Sequence, residues 1–136
     1  MQVRALKEED YDQILVRWWR QWRWTPPAKE MLPDNGQGGF IVYDGDTPVV
    51  AGFLYQTNSK MAWVEWVVSN FEYKDIDKRK EAIGILLAYL EALAKAMGKK
   101  ALYSLVKSKP LIEGYRLAGY ESTETGYTEM IKRIWE

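Results

Sequence analysis

The sequence predicts a mixed α/β (α+β) fold in a single domain over residues 1–136, with about seven strands in one central sheet, in the order β-α-α-β-β-β-α-β-α-β-β. Three observations carry this. Strand-like segments in the middle of the chain give way to one long segment of helical period, after which strand-like segments resume. The 136 residues, 47% hydrophobic and 14% aromatic, suit one ordinary domain with enough apolar side chain for a core. No linker, internal repeat or low-complexity tract divides them.

Gln2 to Leu6 alternates and reads as an opening strand. The acidic cluster Glu8 to Asp12 suits the first turn of a helix, where the macrodipole favours negative charge, and that helix is expected to run to about Trp22. Thr25-Pro26-Pro27 stops it. Ala28 to Leu32 has room for a short second helix before the loop Pro33 to Gly39, whose glycines and asparagine disfavour regular structure. Phe40 to Tyr43 and Val49 to Tyr55 are strand-like and joined through Asp44-Gly45-Asp46, a hairpin signal. Met61 to Ser69 follows the polar turn Asn58-Ser59-Lys60 and completes an antiparallel meander. From about Asp77 to Met97, Ile83, Leu86, Leu87, Leu90, Leu93, Ala94 and Met97 recur at helical spacing, with Gly98 placed as a C-cap glycine. Ala101 to Val106 is the next strand, and the strand-helix-strand unit implies a parallel pairing with a right-handed crossover. Pro110 to Leu117 makes a short helix closed by Ala118-Gly119, and Tyr120 to Glu124 and Thr128 to Ile134 read as two last strands around Gly126.

Composition excludes much chemistry. There is no Cys and no His, which removes disulfides, thiolate nucleophiles, Ser-His-Asp triads and the common zinc and iron sites. Proton transfer is left to Glu, Asp, Tyr, Lys or the backbone. Lys plus Arg and Asp plus Glu each number 19, so no global charge excess steers the chain to nucleic acid. The longest apolar run, Ala82 to Leu90, falls far short of the ~20 residues that span a bilayer. The opening MQVRALKEEDY lacks the features of a signal peptide, and a cytoplasmic protein is expected.

At the head of the long helix stand Arg79-Lys80-Glu81-Ala82-Ile83-Gly84. A helix N-terminus offers unpaired N–H groups and partial positive charge to a phosphate, and Lys78, Arg79 and Lys80 add side-chain charge. Gly84 inside a helix costs about 1 kcal/mol relative to Ala, so it asks for a reason, either close approach of a ligand or close packing on the strands.

The element order resembles the GNAT superfamily of acyl-CoA-dependent N-acyltransferases, and two segments sharpen the likeness. The family's pyrophosphate motif, R/Q-x-x-G-x-G/A, is similar to Arg79 through Gly84. Its later motif, N-x-x-A-x-x-x-Y-x-x-x-G-F, lines up with Ser108, Leu111, Tyr115, Gly119 and Tyr120. Ala82 stands in place of the first glycine and Ser108 in place of Asn, and the loop SNFEYKDIDK is longer than the family's. In these departures the chain is similar to small GNAT-like proteins of bacteriophages.

The resemblance implies an acetyl-CoA-dependent N-acetyltransferase that moves an acetyl group to a primary amine by direct attack, with acetyl-CoA as cosubstrate. Arg79 through Gly84 and Ser108 would bind it, and backbone groups of Val67 and Val68 would hold pantetheine and polarise the thioester. Tyr115 would protonate the leaving thiolate, a role suited to a phenol that is fully protonated at neutral pH; the alternative is an ordinary half-buried aromatic. Glu65 lies mid-strand, and alternation puts Trp63, Glu65 and Val67 on one face, where apolar neighbours would raise its pKa toward that of a useful base. Its alternative is an ion pair or a solvated carboxylate.

Four of the seven tryptophans fall in Arg17 to Trp24. Leu15, Trp18, Trp19 and Trp22 share neighbouring helix positions and read as core, while Trp18, Trp19, Trp22 and Trp24 with interleaved arginines also read as a surface for a protein partner. A small-molecule or protein amine is the expected acceptor, and the chain is expected to be a monomer or homodimer. The rival to the enzyme is a silent GNAT-like protein acting by protein interaction or as a phage structural component.

Overall fold

Five strands form one sheet in the order β1-β2-β3-β4-β5: β1 Gln2–Ala5, β2 Gly39–Asp44, β3 Thr47–Gln56, β4 Met61–Ser69 and β5 Ala101–Tyr103. This computed structural model describes residues 1–134. The first four strands pair antiparallel, and β5 joins β4 in parallel. The expected meander is present, with β2 and β3 closing on a two-residue turn, Gly45-Asp46, between the paired Asp44 and Thr47. Gly45 has φ +61°, the left-handed region that such a turn needs.

Helix α1 covers Val16–Gln21 and continues a wider π-helical turn at Tyr11–Leu15. A single turn of 3-10 helix, Lys29–Met31, and a tight turn at Pro33–Gly36, in which Asp34 and Asn35 take φ of +49° and +55°, replace the expected short second helix and part of the loop after it. Helix α2, Ile76–Ala96, starts where the Asp75 side chain accepts from the Lys78 N–H, and it carries Asp77 in the first turn and Lys95 in the last. Each charge opposes the nearer end of the helix dipole. Helix α3 is Lys109–Leu117.

Two cores lie on opposite faces of the sheet. On one, Val42, Val50, Ala62, Val64 and Val67 pack against Ala82, Ile83, Leu86, Leu87 and Leu90 of α2. On the other, Leu15, Trp18 and Trp19 pack on Ile41, Ala51, Phe53 and Val68.

The count of strands corrects the sequence reading, for the described residues form five where about seven were expected. Tyr120–Glu124 and Thr128–Ile134 form no strand among the described residues, and β5 stops at Tyr103 instead of Val106. The edge available to the tail is short, because β5 has three residues. Met130 and Ile131 are adjacent rather than alternating, and Tyr127, Met130, Ile131 and Ile134 stay 73–88% exposed.

Candidate active site

The site begins at an irregularity in β4. Ala51 pairs with Val68 but Phe53 with Glu65, so Trp66 and Val67 stand opposite the single residue Gly52. Trp66 takes φ +58°, an uncommon conformation for a bulky side chain that the surrounding structure must hold in place. Its ring meets Trp19 edge-on at 5.8 Å. A methyl on Gly52 would come within 2.9 Å of Val67 Cγ2, so the bulge fits only against glycine.

The bulge also corrects the expected face. Period-two alternation would align Val67 with Trp63 and Glu65, but the extra residue turns Val67 to the α2 side with Ala62 and Val64. Val68 packs in the opposite core.

Beside this bulge the sheet opens. Strands β4 and β5 pair only from Met61 with Ala101 to Trp63 with Tyr103. Beyond that point side chains bridge the gap. Ser104 Oγ donates to the Val64 carbonyl at 2.5 Å and is hydrogen-bonded to the Tyr115 hydroxyl at 3.0 Å. The next residue, Leu105, donates its N–H to Glu65 Oε1 at 2.6 Å. Glu65 and Tyr115, from β4 and α3, thus hang on two successive residues of one segment.

Burial raises the Glu65 carboxyl to about 7, with Leu105 N–H opposing the rise and the Glu129 charge adding to it. Such a group exchanges protons near neutrality. Tyr115 is 4% exposed and packs against Tyr120 with ring centres 4.8 Å apart. Burial pushes its phenol above the usual tyrosine range, and the Glu65 charge adds to that rise. It therefore holds its proton at neutral pH.

The predicted phosphate motif sits differently from expectation. Because α2 starts at Ile76, Arg79 already bonds its N–H to the Asp75 carbonyl at 2.9 Å, and the hexapeptide lies within the helix rather than at its unpaired head. The Arg79 guanidinium donates to the carbonyls of Asn70 and Tyr73 and stacks 5.8 Å from the Trp22 ring. It braces the loop between β4 and α2. Ala82 and Ile83 are buried in the core, while Glu81 and Lys80 are exposed. Ser108 is exposed at the start of α3 and makes no capping bond.

Gly84 resolves the question that its position raised. A Cβ there meets nothing within 4 Å, so sheet packing does not explain it. It opens on a cleft of about 340 Å³ between α2 and α3, lined by Lys80, Gly84, Ala88, Pro110, Gly114 and Leu117 among others. Lys80 brings an ammonium to this cleft, and Glu91 and Glu113 line it as well.

No protein-family model matches the chain, and no curated protein matches it either. Solved structures do. It is similar to TTHA1254 of Thermus thermophilus, at 17% identity and TM-score 0.68 over 96% of this chain and 97% of that one. Glucosamine-6-phosphate N-acetyltransferase of Arabidopsis thaliana aligns over 96% and 98% at 12% identity and TM-score 0.66. N-acetylglutamate synthase of Neisseria gonorrhoeae, solved with coenzyme A and L-arginine, aligns over 90% of this chain and 28% of its own length at 14% identity and TM-score 0.71.

The chain shares the fold of these structures, a GNAT-like arrangement of strands and helices. These three structures come from two bacteria and a plant, and none supports the bacteriophage likeness.

Within that GNAT fold the tryptophan-rich segment is structural, which corrects its reading as a partner surface. Trp18 and Trp19 are fully buried. The aromatic cluster consists of Tyr11, Trp19 and Trp66 in edge contacts, not of four tryptophans from one helix. Trp22 donates to the Ser69 carbonyl at 2.8 Å and meets Phe71 edge-on, and Trp24 is 38% exposed. No helix among the described residues is long and apolar enough to cross a membrane.

The GNAT likeness in the sequence pointed to Glu65 and Tyr115 and missed Ser104 and Leu105, which join them. Their only signal is position, as the first two residues past a strand that ends early.

Proposed function

We propose that this protein, acting as a single domain, transfers the acetyl group of acetyl-CoA to a primary amine by direct attack. The observation that carries the reading is the pairing of Glu65 and Tyr115 through Leu105 and Ser104, where β4 and β5 part. Acetyl-CoA supplies an activated acyl carbon when bound, with Lys80 and Gly84 on the α2–α3 cleft as its holding residues. Glu65 takes a proton from the substrate ammonium. The freed nitrogen lone pair forms the C–N bond, the C–S bond breaks, Tyr115 gives its proton to the departing sulfur, and the second proton of the nitrogen restores the Tyr115 phenol, leaving the amide. Backbone groups of Val67 and Val68, next to the Trp66 bulge, polarise the thioester carbonyl.

Arg79 and Asp75 favour a second reading, a silent GNAT-fold protein. One is spent on loop carbonyls and the other occupies the helix head. Calorimetric titration with acetyl-CoA separates the two. Binding that is lost in Gly84→Glu, together with thiol release on adding an amine, supports the enzyme. No heat and no thermal shift at millimolar acetyl-CoA supports the silent protein, because a ligand of the folded state must stabilise it.

A further inference from the structure

Next to Glu65, on the sheet face turned away from α2, lies a row of aromatic side chains that the steps above leave unused. Tyr55 on β3 pairs with Trp63 on β4, and Trp63 pairs with Tyr103 on β5. Paired residues share a face, and Ala62 and Val64 belong to the α2 core, so the three rings point the other way. Trp63 and Tyr103 lie 5.4 Å apart, tilted by 39°. The Tyr55 hydroxyl is fixed on the Met31 carbonyl at 2.9 Å. Tyr103 is nevertheless 52% exposed, so the row ends in an open aromatic face anchored on three strands.

Glu65 is two residues from Trp63 on the same face, about 7 Å along the strand. Leu105, 54% exposed and two residues beyond Tyr103, holds the Glu65 carboxyl through its N–H. Glu129, whose charge acts on Glu65, is also acidic. The row therefore combines flat aromatic surface with carboxylates at one end. An ammonium is complementary to the acids, and an aromatic ring is complementary to the rings.

We propose that the acceptor is an arylalkylamine, whose ring lies on Trp63 and Tyr103 and whose short two- or three-atom tether carries the primary amine to Glu65. The proposal rests on the acetyl-transfer reading for its chemistry and on the aromatic row for its specificity. A plain alkylamine fills the carboxylate end only. A polyamine has charge for Glu65 and Glu129 but no ring for the row.

The test compares acetyl transfer to phenethylamine and tryptamine with transfer to butylamine and spermidine. The aromatic amines are expected to show kcat/KM about tenfold or more above the others, on the scale of good ring–ring contacts. Tyr103→Ala and Tyr103→Leu should each raise KM for phenethylamine about fivefold with kcat kept and butylamine unaffected, and Tyr103→Phe should restore the parent value. Equal rates for butylamine or spermidine, or a Tyr103→Leu effect shared by all amines, overturn the proposal while leaving acetyl transfer standing. If no amine is acetylated, calorimetric titration of phenethylamine without acetyl-CoA decides. Binding weakened by Tyr103→Leu keeps the ring site and fails the transfer reading, and absence of binding overturns the ring site as well.

Discussion

At Glu65 the folded chain holds a proton that the unfolded chain releases near its ordinary value of 4.5, because burial raises the carboxyl to about 7. Between those values the native state binds more protons than the unfolded one, so stability falls as pH rises through the window. Glu65→Gln removes this cost while keeping an acceptor for Leu105 N–H. Denaturant unfolding should find the variant more stable than the parent by about 1–3 kcal/mol near pH 8, and the two alike near pH 4. In acetyl transfer the same change should flatten the rising limb of the pH–rate profile near neutrality. Tyr115→Phe should lower kcat by about 10² or more and leave acetyl-CoA affinity nearly unchanged, because its proton matters only as the thiolate develops. Stopped assays and titration of the same preparations check both halves. Both residues were legible, one from a motif and one from its place mid-strand. What the sequence hid was the Trp66 bulge, since two successive residues facing one partner leave no mark in an alternating apolar pattern.

Elements are fixed by a few local fits that single substitutions can probe. Asp10, 3% exposed, accepts from Arg4 at 2.7 and 3.1 Å and from Lys7 N–H at 2.6 Å, and Arg4 reaches Tyr43 at 2.8 Å. This ties β1, β2 and the turn into α1 together. Burial alone would raise the Asp10 carboxyl, but the Arg4 and Lys7 hydrogen bonds outweigh it and hold the group below the usual carboxylate range. Its contribution is therefore present at neutral pH and lost as pH falls through the depressed value. Asp10→Ala should cost about 3 kcal/mol at neutral pH, by thermal or denaturant unfolding, with a smaller difference in strong acid. Two glycines make a contrasting pair. Gly52→Ala places a methyl 2.9 Å from Val67 and 3.1 Å from Leu86 and should destabilise by about 1–3 kcal/mol. Gly84→Ala enters open space within a helix and should stabilise by about 1 kcal/mol; differential scanning calorimetry reads both. Helix α2 and the meander were legible because their apolar periods are long and Gly98 and Asp44-Gly45-Asp46 mark two of their ends, whereas the Asp75 cap that starts α2 was not read and the start was set at about Asp77. The last two strands were not, because a strand needs a partner edge and β5 offers three residues.

Across the described residues, burial falls off after Tyr120. After Tyr120, which still packs on Tyr115, the large apolar side chains are mostly exposed. Replacing Met130, Ile131 and Ile134 together by Ser should therefore leave the melting temperature within about 2 °C of the parent, as for other exposed positions. A fall of several degrees in a thermal scan would show that these side chains are buried in solution. The junction at the parted strands has a mechanical consequence. Ser104 and Leu105 are joined by one rigid peptide plane, and each is hydrogen-bonded to one of the two candidate side chains, Tyr115 and Glu65. The dipeptide is a yoke between two elements: a pull of α3 on Tyr115 bears on Ser104, and through the next residue on the hydrogen bond that ties Glu65 of β4 to the same segment.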